Sequence, residues 1–219
     1  MFKLLTKAFR SLTNNRDSFF PSQFNDPLAL EVDWTPARSG GANFQTRKLV
    51  KVDPNRIVFR STITALVFSL IFLLLGSGML IAFAVQILKT NEFSFEMETI
   101  GLLFAGCVFA LAGGLLLYLY SVPIVFDKRK GCFWKGKNPD RVGDRRTRKN
   151  YADLKQIHAL QLISEYVRGN KSSYYSYELN LVLKNGKRIC VVDHGNLSRL
   201  REDAKTLAKF LERPVWDAT

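Results

Sequence analysis

Side chains able to do chemistry are few in this chain and lie far apart. Cys107, Cys132 and Cys190 show no C-x-x-C and no paired spacing, so the expectation is reduced cytoplasmic thiols, not a zinc site or a disulfide framework. His158 falls inside an alternating apolar run, and His194 stands beside Asp193 in a strand-to-helix turn. Neither has further His, Cys or carboxylate neighbours at metal-ligand spacing. There is no G-x-S-x-G, P-loop, H-E-x-x-H or post-strand G-x-G-x-x-G, and Gly76-Ser77-Gly78 lies in an apolar helix where no phosphate loop can form. No catalytic residue, cofactor or metal is therefore expected, and the chain reads as a non-enzyme. An enzyme would need Asp193, His194 and another polar group to converge in a cleft.

Positive charge is the other chemical resource. The formal net charge is +13, distributed as about +5 over residues 1–60, about −2 over 89–98, about +7 over 127–150 and about +3 over the rest. It therefore clusters beside the apolar segments. Lys128, Arg129 and Lys130 in "VFDKRKGCF" and Arg145, Arg146 and Arg148 in "GDRRTRKN" are the candidate contacts to anionic lipid headgroups, each adding about 1 kcal/mol when held near the surface. The alternative is a solvated loop that satisfies the positive-inside rule. A membrane tether favours headgroups over nucleic-acid phosphate, where charge alone gives weak, salt-sensitive binding.

That tether is read from two uncharged runs, residues 61–88 and 99–122, each exceeding the roughly 20 residues a span requires. The segment between them, 89–98, is short and slightly acidic while both outer flanks are basic, which predicts a two-pass inner-membrane protein with both termini cytoplasmic and a periplasmic loop. About sixty residues precede the first span, which argues against a signal peptide. Gln86 is the one strongly polar side chain in the spans, so ion or proton pathways are not expected. Gly106, Ala110 and Gly114 form a small-residue face for helix packing, matched by Gly76, Gly78, Ala82 and Ala84, either within the hairpin or against another subunit. Tyr118 and Tyr120 suit the interface, and Pro123 ends the helix.

Beyond the second span the period becomes two. "PIVFD", "CFWKG", "QIHALQLISEYV", "YELNLVLK" and "KRICVVD" read as strands, with Asn185-Gly186 as a two-residue type I′ turn. That register places Leu179, Leu181 and Leu183 on one face opposite Cys190 and Val192, making Cys190 a core residue. Leu197, Leu200, Ala204, Leu207, Ala208 and Leu211 share a helix face, with Asn196 as N-cap and Pro214 as stop. Before the first span, residues 44–60 hold a hairpin turning at Asp53-Pro54-Asn55 whose pattern matches the hairpin after the second span. Together these predict about seven strands in one sheet shared across the membrane hairpin.

Residues 15–43 read as a linker marked by Pro21, Pro27, Pro36 and Gly40-Gly41, with one short strand at "LALEVDW". Residues 1–14 place Phe2, Leu5, Phe9 and Leu12 opposite Lys3, Lys7 and Arg10 on a helical wheel. Such a helix lies in the membrane interface, or else packs on the protein's own sheet or a partner.

"PIVFDKRKGCFWKG", "YELNLVLKNGKRICVV" and the helix through "LAKFLERP", tethered to a two-helix hairpin, resemble uncharacterised bacterial two-pass inner-membrane proteins that carry a cytosolic pleckstrin-homology-like (PH-like) domain. "DPLALEVDWTPARSGGANFQTRKLV" is similar to a motif of such a group. The resemblance covers residues 123–216, within a cytosolic domain read over 123–219, and implies a binding or scaffold module with no catalytic residues to carry over. "NPDRVGDRRTRKNYADL" departs from a compact PH-like pattern. The fold class expected is thus an α+β membrane protein, a transmembrane hairpin plus an antiparallel PH-like domain of about 5–7 strands capped by a C-terminal amphipathic helix. The expected function is docking of a protein partner, or of a second copy of the chain, at the membrane; the alternative is an anionic-lipid sensor.

Overall fold

The computed structural model describes residues 19–90, 97–136, 150–169 and 172–219. The N-terminal helix proposed for residues 1–14 and the cations Arg145, Arg146 and Arg148 lie outside the described residues.

Two long helices, Ile63–Thr90 and Met97–Ser121, pack antiparallel. Both are long and apolar enough to span a membrane, and they leave side chains such as Leu74, Phe104 and Leu111 about 70 % exposed, a surface that water would penalise and lipid would not. Backbones approach at glycine. A Cβ on Gly76 would overlap the Ala110 backbone, one on Gly113 the Leu73 backbone, and one on Gly106 the Leu80 side chain. The packed face is therefore Gly106, Ala110, Gly113, a four-then-three spacing that follows the 3.6-residue turn. Gly114 and Gly78, expected in this interface, face open space instead. Gln86 donates to the Thr99 hydroxyl across the hairpin at 3.3 Å.

The hairpin grows out of a sheet. β1 (Arg47–Asp53) and β2 (Arg56–Ser61) precede the first long helix; β3 (Ile124–Asp127), β4 (Cys132–Lys135) and β5 (Tyr151–Asp153) follow the second. All five form one antiparallel sheet in chain order, with β2 paired to β3 from Arg56↔Asp127 to Phe59↔Ile124. Both helices thus leave from adjacent strands, and Ser61 Oγ hydrogen-bonds the Tyr120 carbonyl across the junction.

The remaining strands form a second sheet, so the single shared sheet expected from the sequence is corrected to two. β6 (Ile157–Arg168), β7 (Ser173–Leu183), β8 (Arg188–His194) and β9 (Val215–Ala218) lie in the order β8-β7-β6-β9, with β9 parallel to β6. Ile57, Phe59, Phe126 and Phe133 of the first sheet meet Leu160, Leu162, Leu179 and Leu181 of the second in one core. The C-terminal helix Leu197–Leu211 closes it with Leu200, Ala204 and Leu207. Asn196 caps this helix by accepting from the Arg199 N–H at 3.1 Å. The helix in turn lies beside the edge of β1, where the Asp203 carboxyl comes near the Leu49 N–H.

The β7–β8 turn is a three-residue loop: Gly186 N–H donates to Leu183 O, only Gly186 has positive φ (+77°), and Leu183 N–H bonds Lys187 O. Asn185 does not adopt the positive φ that type I′ demands; the loop has the hydrogen bonding of a type I turn ending in a left-handed glycine. Further along, Leu179 pairs with Val192 but Asn180 with Cys190, so Val191 is the extra residue of a β-bulge. The bulge moves Cys190 to the face opposite Leu179 and Leu181.

Residues 19–46 form an ordered arm across the outer face of the second sheet. Where a strand was expected at "LALEVDW", Pro27–Glu31 is a short helix: Asp26 caps it by accepting from the Leu28 N–H at 3.0 Å, and Pro27 sits at its first turn. Ala29 and Val32 bury against Ala159, Val182 and Trp216, and Phe24 stacks on both Trp34 and Trp216. Further on, Glu178 accepts from the Ala37 N–H at 2.9 Å, Tyr174 Oη donates to Gly41 O at 2.9 Å, and a Cβ at Gly41 would overlap Ser176.

Candidate functional site

In-out alternation along β1 and β4 puts Leu49 and Phe133 toward the core. Two residues closer to the long helices, the same face carries Arg47 and Lys135. The core therefore ends in cations where the domain meets the helices. A cavity of about 240 Å3 lies there, lined by Arg47, Lys135, Arg38 from the arm and Asp193 from β8, with Leu119 and Val122 from the end of the second long helix.

Arg47 is held by the scaffold. It donates to Val122 O at 2.7 Å and Leu119 O at 3.0 Å, placing a cation on the negative end of that helix. Lys135 and Arg38 are not held in this way, since among the described residues neither makes an ion pair or a side-chain hydrogen bond. Burial lowers the Lys135 ammonium below its ordinary range, and Arg47 and Arg38 push the same way against Cys190 and Asp193. Burial likewise lowers Arg47. Among the described residues, three cations thus face a small cavity with one carboxylate, Asp193, that pairs with none of them. An anion placed among them would relieve that repulsion.

Of the predicted headgroup cations, the three among the described residues, Lys128, Arg129 and Lys130, sit elsewhere. The turn after β3 is four strand residues, or about 13 Å, from the helix end, beside the β1–β2 turn, where Lys128 N–H donates to Asn55 O at 2.8 Å. There Arg129 pairs with Asp53 at 2.9 Å, Lys128 with Glu212 at 3.9 Å, and Lys130 lies 5.7 Å from the centre of the Trp134 ring.

The candidate nucleophile and histidines do not assemble. Burial drives the Cys190 thiol far up and the neighbouring Glu178 adds to the shift, the reverse of an activated thiolate. His194 is fully buried, its Nδ1 accepting from the Asn196 N–H at 3.2 Å, and strand alternation turns it away from Asp193. His158 is the extra residue of a bulge in β6 and bonds Asp26 at 2.7 Å on the outer face. No group of three or more metal-ligating side chains occurs among the described residues.

Sequence reasoning passed over Arg38 and Lys135 and weighed Asp193 only beside His194, because the three lie far apart in the chain; only two sheets and the arm bring them together. The one legible signal was a lysine at an inward position of the "CFWKG" strand. Comparison with protein-family models, curated proteins and solved structures yields no match in any of the three.

Proposed function

We propose that this is a two-pass inner-membrane protein whose cytosolic, PH-like domain binds the phosphate of an anionic lipid at the cytoplasmic leaflet, without catalysing a reaction. The observation that carries this reading is the cavity at the foot of the helices, with Arg38 and Lys135 unpaired among the described residues and Arg47 fixed beside the helix end. In a bilayer that position coincides with the headgroup layer, where a basic side chain contributes about 1 kcal/mol. The cavity is smaller than the roughly 300–1,000 Å3 that drug-sized ligands fill, so it suits a headgroup and leaves the acyl chains in the bilayer.

The test is lipid retention by the full-length protein in detergent, read by native mass spectrometry. Lys135→Gln and Arg38→Gln should each lower retention of anionic lipid about fivefold, the factor that 1 kcal/mol represents. Undiminished retention in the double variant would sink the reading.

A second reading, a docking platform for a protein partner, is favoured by the β2–β3 pairing, which clamps the domain to both helices and fixes its orientation. Isolation of the full-length protein from native membranes with no stoichiometric companion would count against it.

A further inference from the structure

Asp193 is out of place in a site built only for phosphate. It lines the cavity, its charge reaches Arg47 and Lys135, and yet it forms no ion pair with either and no side-chain hydrogen bond among the described residues. A carboxylate there repels a bare phosphate monoester. It would welcome a hydrogen-bond donor on the ligand, and the donor's charge can be argued. Among the described residues, three cations surround the cavity against one carboxylate, so an ammonium group would be repelled by the same walls that attract the phosphate. A neutral hydroxyl is not.

Resting on the lipid-phosphate reading above, we propose that the cavity selects an anionic phosphodiester headgroup bearing hydroxyls, of the phosphoglycerol or phosphoinositol type. Lys135, Arg38 and the outer edge of Arg47 face the phosphate, and Asp193 accepts from a headgroup hydroxyl. Asp193 is then the specificity residue and the cations supply affinity, a division in which a charged acceptor discriminates strongly against ligands that leave it unpaired.

The experiment offers the full-length protein in detergent an equimolar mixture of phosphatidylglycerol, phosphatidic acid, phosphatidylethanolamine and phosphatidylcholine, and reads retained lipid by native mass spectrometry. The wild type should retain phosphatidylglycerol above all others. In Asp193→Asn and Asp193→Ala the ratio of retained phosphatidylglycerol to phosphatidic acid should fall about tenfold, with total anionic lipid maintained. Thermal melting of both variants shows whether they remain folded, and Asp193→Ser serves if either does not. An unchanged ratio in folded variants overturns Asp193 as the reader of the headgroup while leaving the phosphate site intact, and so does a wild type that prefers phosphatidic acid or phosphatidylethanolamine. Loss of all lipid preference in the wild type would instead remove the parent reading. Excess inorganic phosphate is a separate arm: if it displaces phosphatidylglycerol as readily as added phosphatidylglycerol does, the site takes free phosphate and the headgroup proposal fails.

Discussion

At the end of the first sheet remote from the long helices, Lys128, Arg129 and Lys130 each find a carboxylate or a ring within the domain. At the end where the helices leave, Arg38 and Lys135 find neither among the described residues, and Arg47 is engaged by helix carbonyls. The remote cluster is the denser one in sequence, three cations in a row. Charge density along a chain thus says little about which cations remain free to meet a ligand; that depends on what the fold brings opposite them. The proximal end is also costly to maintain, because burial and mutual repulsion both work against Lys135.

The contrast depends on β2 and β3 staying paired, since that pairing orients the cavity beneath the helices. Phe59 on β2 is fully buried and meets Phe126 of β3 at 6.4 Å between ring centres. Phe59→Ala should cost about 3–5 kcal/mol of domain stability and loosen the cavity with it. Denaturant unfolding of the detergent-solubilised protein, followed by tryptophan fluorescence, measures this. A loss below about 1 kcal/mol would mean that the sheet is not what binds the two ends together.

A pH experiment sharpens the comparison at the proximal side. Burial holds His194 neutral, with its pKa pushed down to about 4 from an ordinary 6.5. Between those values the unfolded chain takes up a proton that the folded protein refuses, so this residue's contribution to stability is lost as pH falls through the window, on the order of 2–3 kcal/mol. Asp203 opposes it. Its carboxyl is pushed up to about 6, chiefly by burial and then by Glu202, so the fold is favoured while the proton is held and that gain disappears as pH rises from about 4 to 6. In an Asp203→Asn background, stability between pH 7 and 4.5 should therefore fall more steeply than in the wild type. Adding His194→Gln should flatten the curve, and a curve as steep with Gln as with His would assign the acid sensitivity elsewhere.

Much of this architecture is legible in the chain. The two uncharged runs, the like-patterned hairpins on either side of them and the Asn196 cap all have strong local signals, and each is matched by an element of the structure. What escapes has physical reasons. The bulge at Val191 adds a residue without breaking the apolar run, so the face of Cys190 cannot be inferred from alternation. β9 is four residues long, too short for a period to show, and is held by Trp216 in a cluster that the arm completes. The Asp26 cap overrides an alternating pattern at "LALEVDW". Arg38, Lys135 and Asp193 become a site only through contacts between both sheets and the arm.

The smallest expected effect is the most telling. The Arg129–Asp53 pair is formed at 2.9 Å, but the Arg129 side chain is 64 % exposed, so water and salt screen it and holding two flexible side chains in one geometry takes back part of the gain. Replacing Lys128, Arg129 and Lys130 together by Gln removes three of the chain's 32 basic residues, one more than the Arg38 and Lys135 double variant. If bulk charge near the membrane were what held lipid, the triple variant would lose more. The paired, remote position of these residues predicts the opposite: stability within about 1 kcal/mol of wild type and lipid retention within about twofold, while the double variant loses retention in proportion to its two cations. Equal losses in the two variants would erase the distinction between the ends of the sheet and return the lipid contact to unspecific charge.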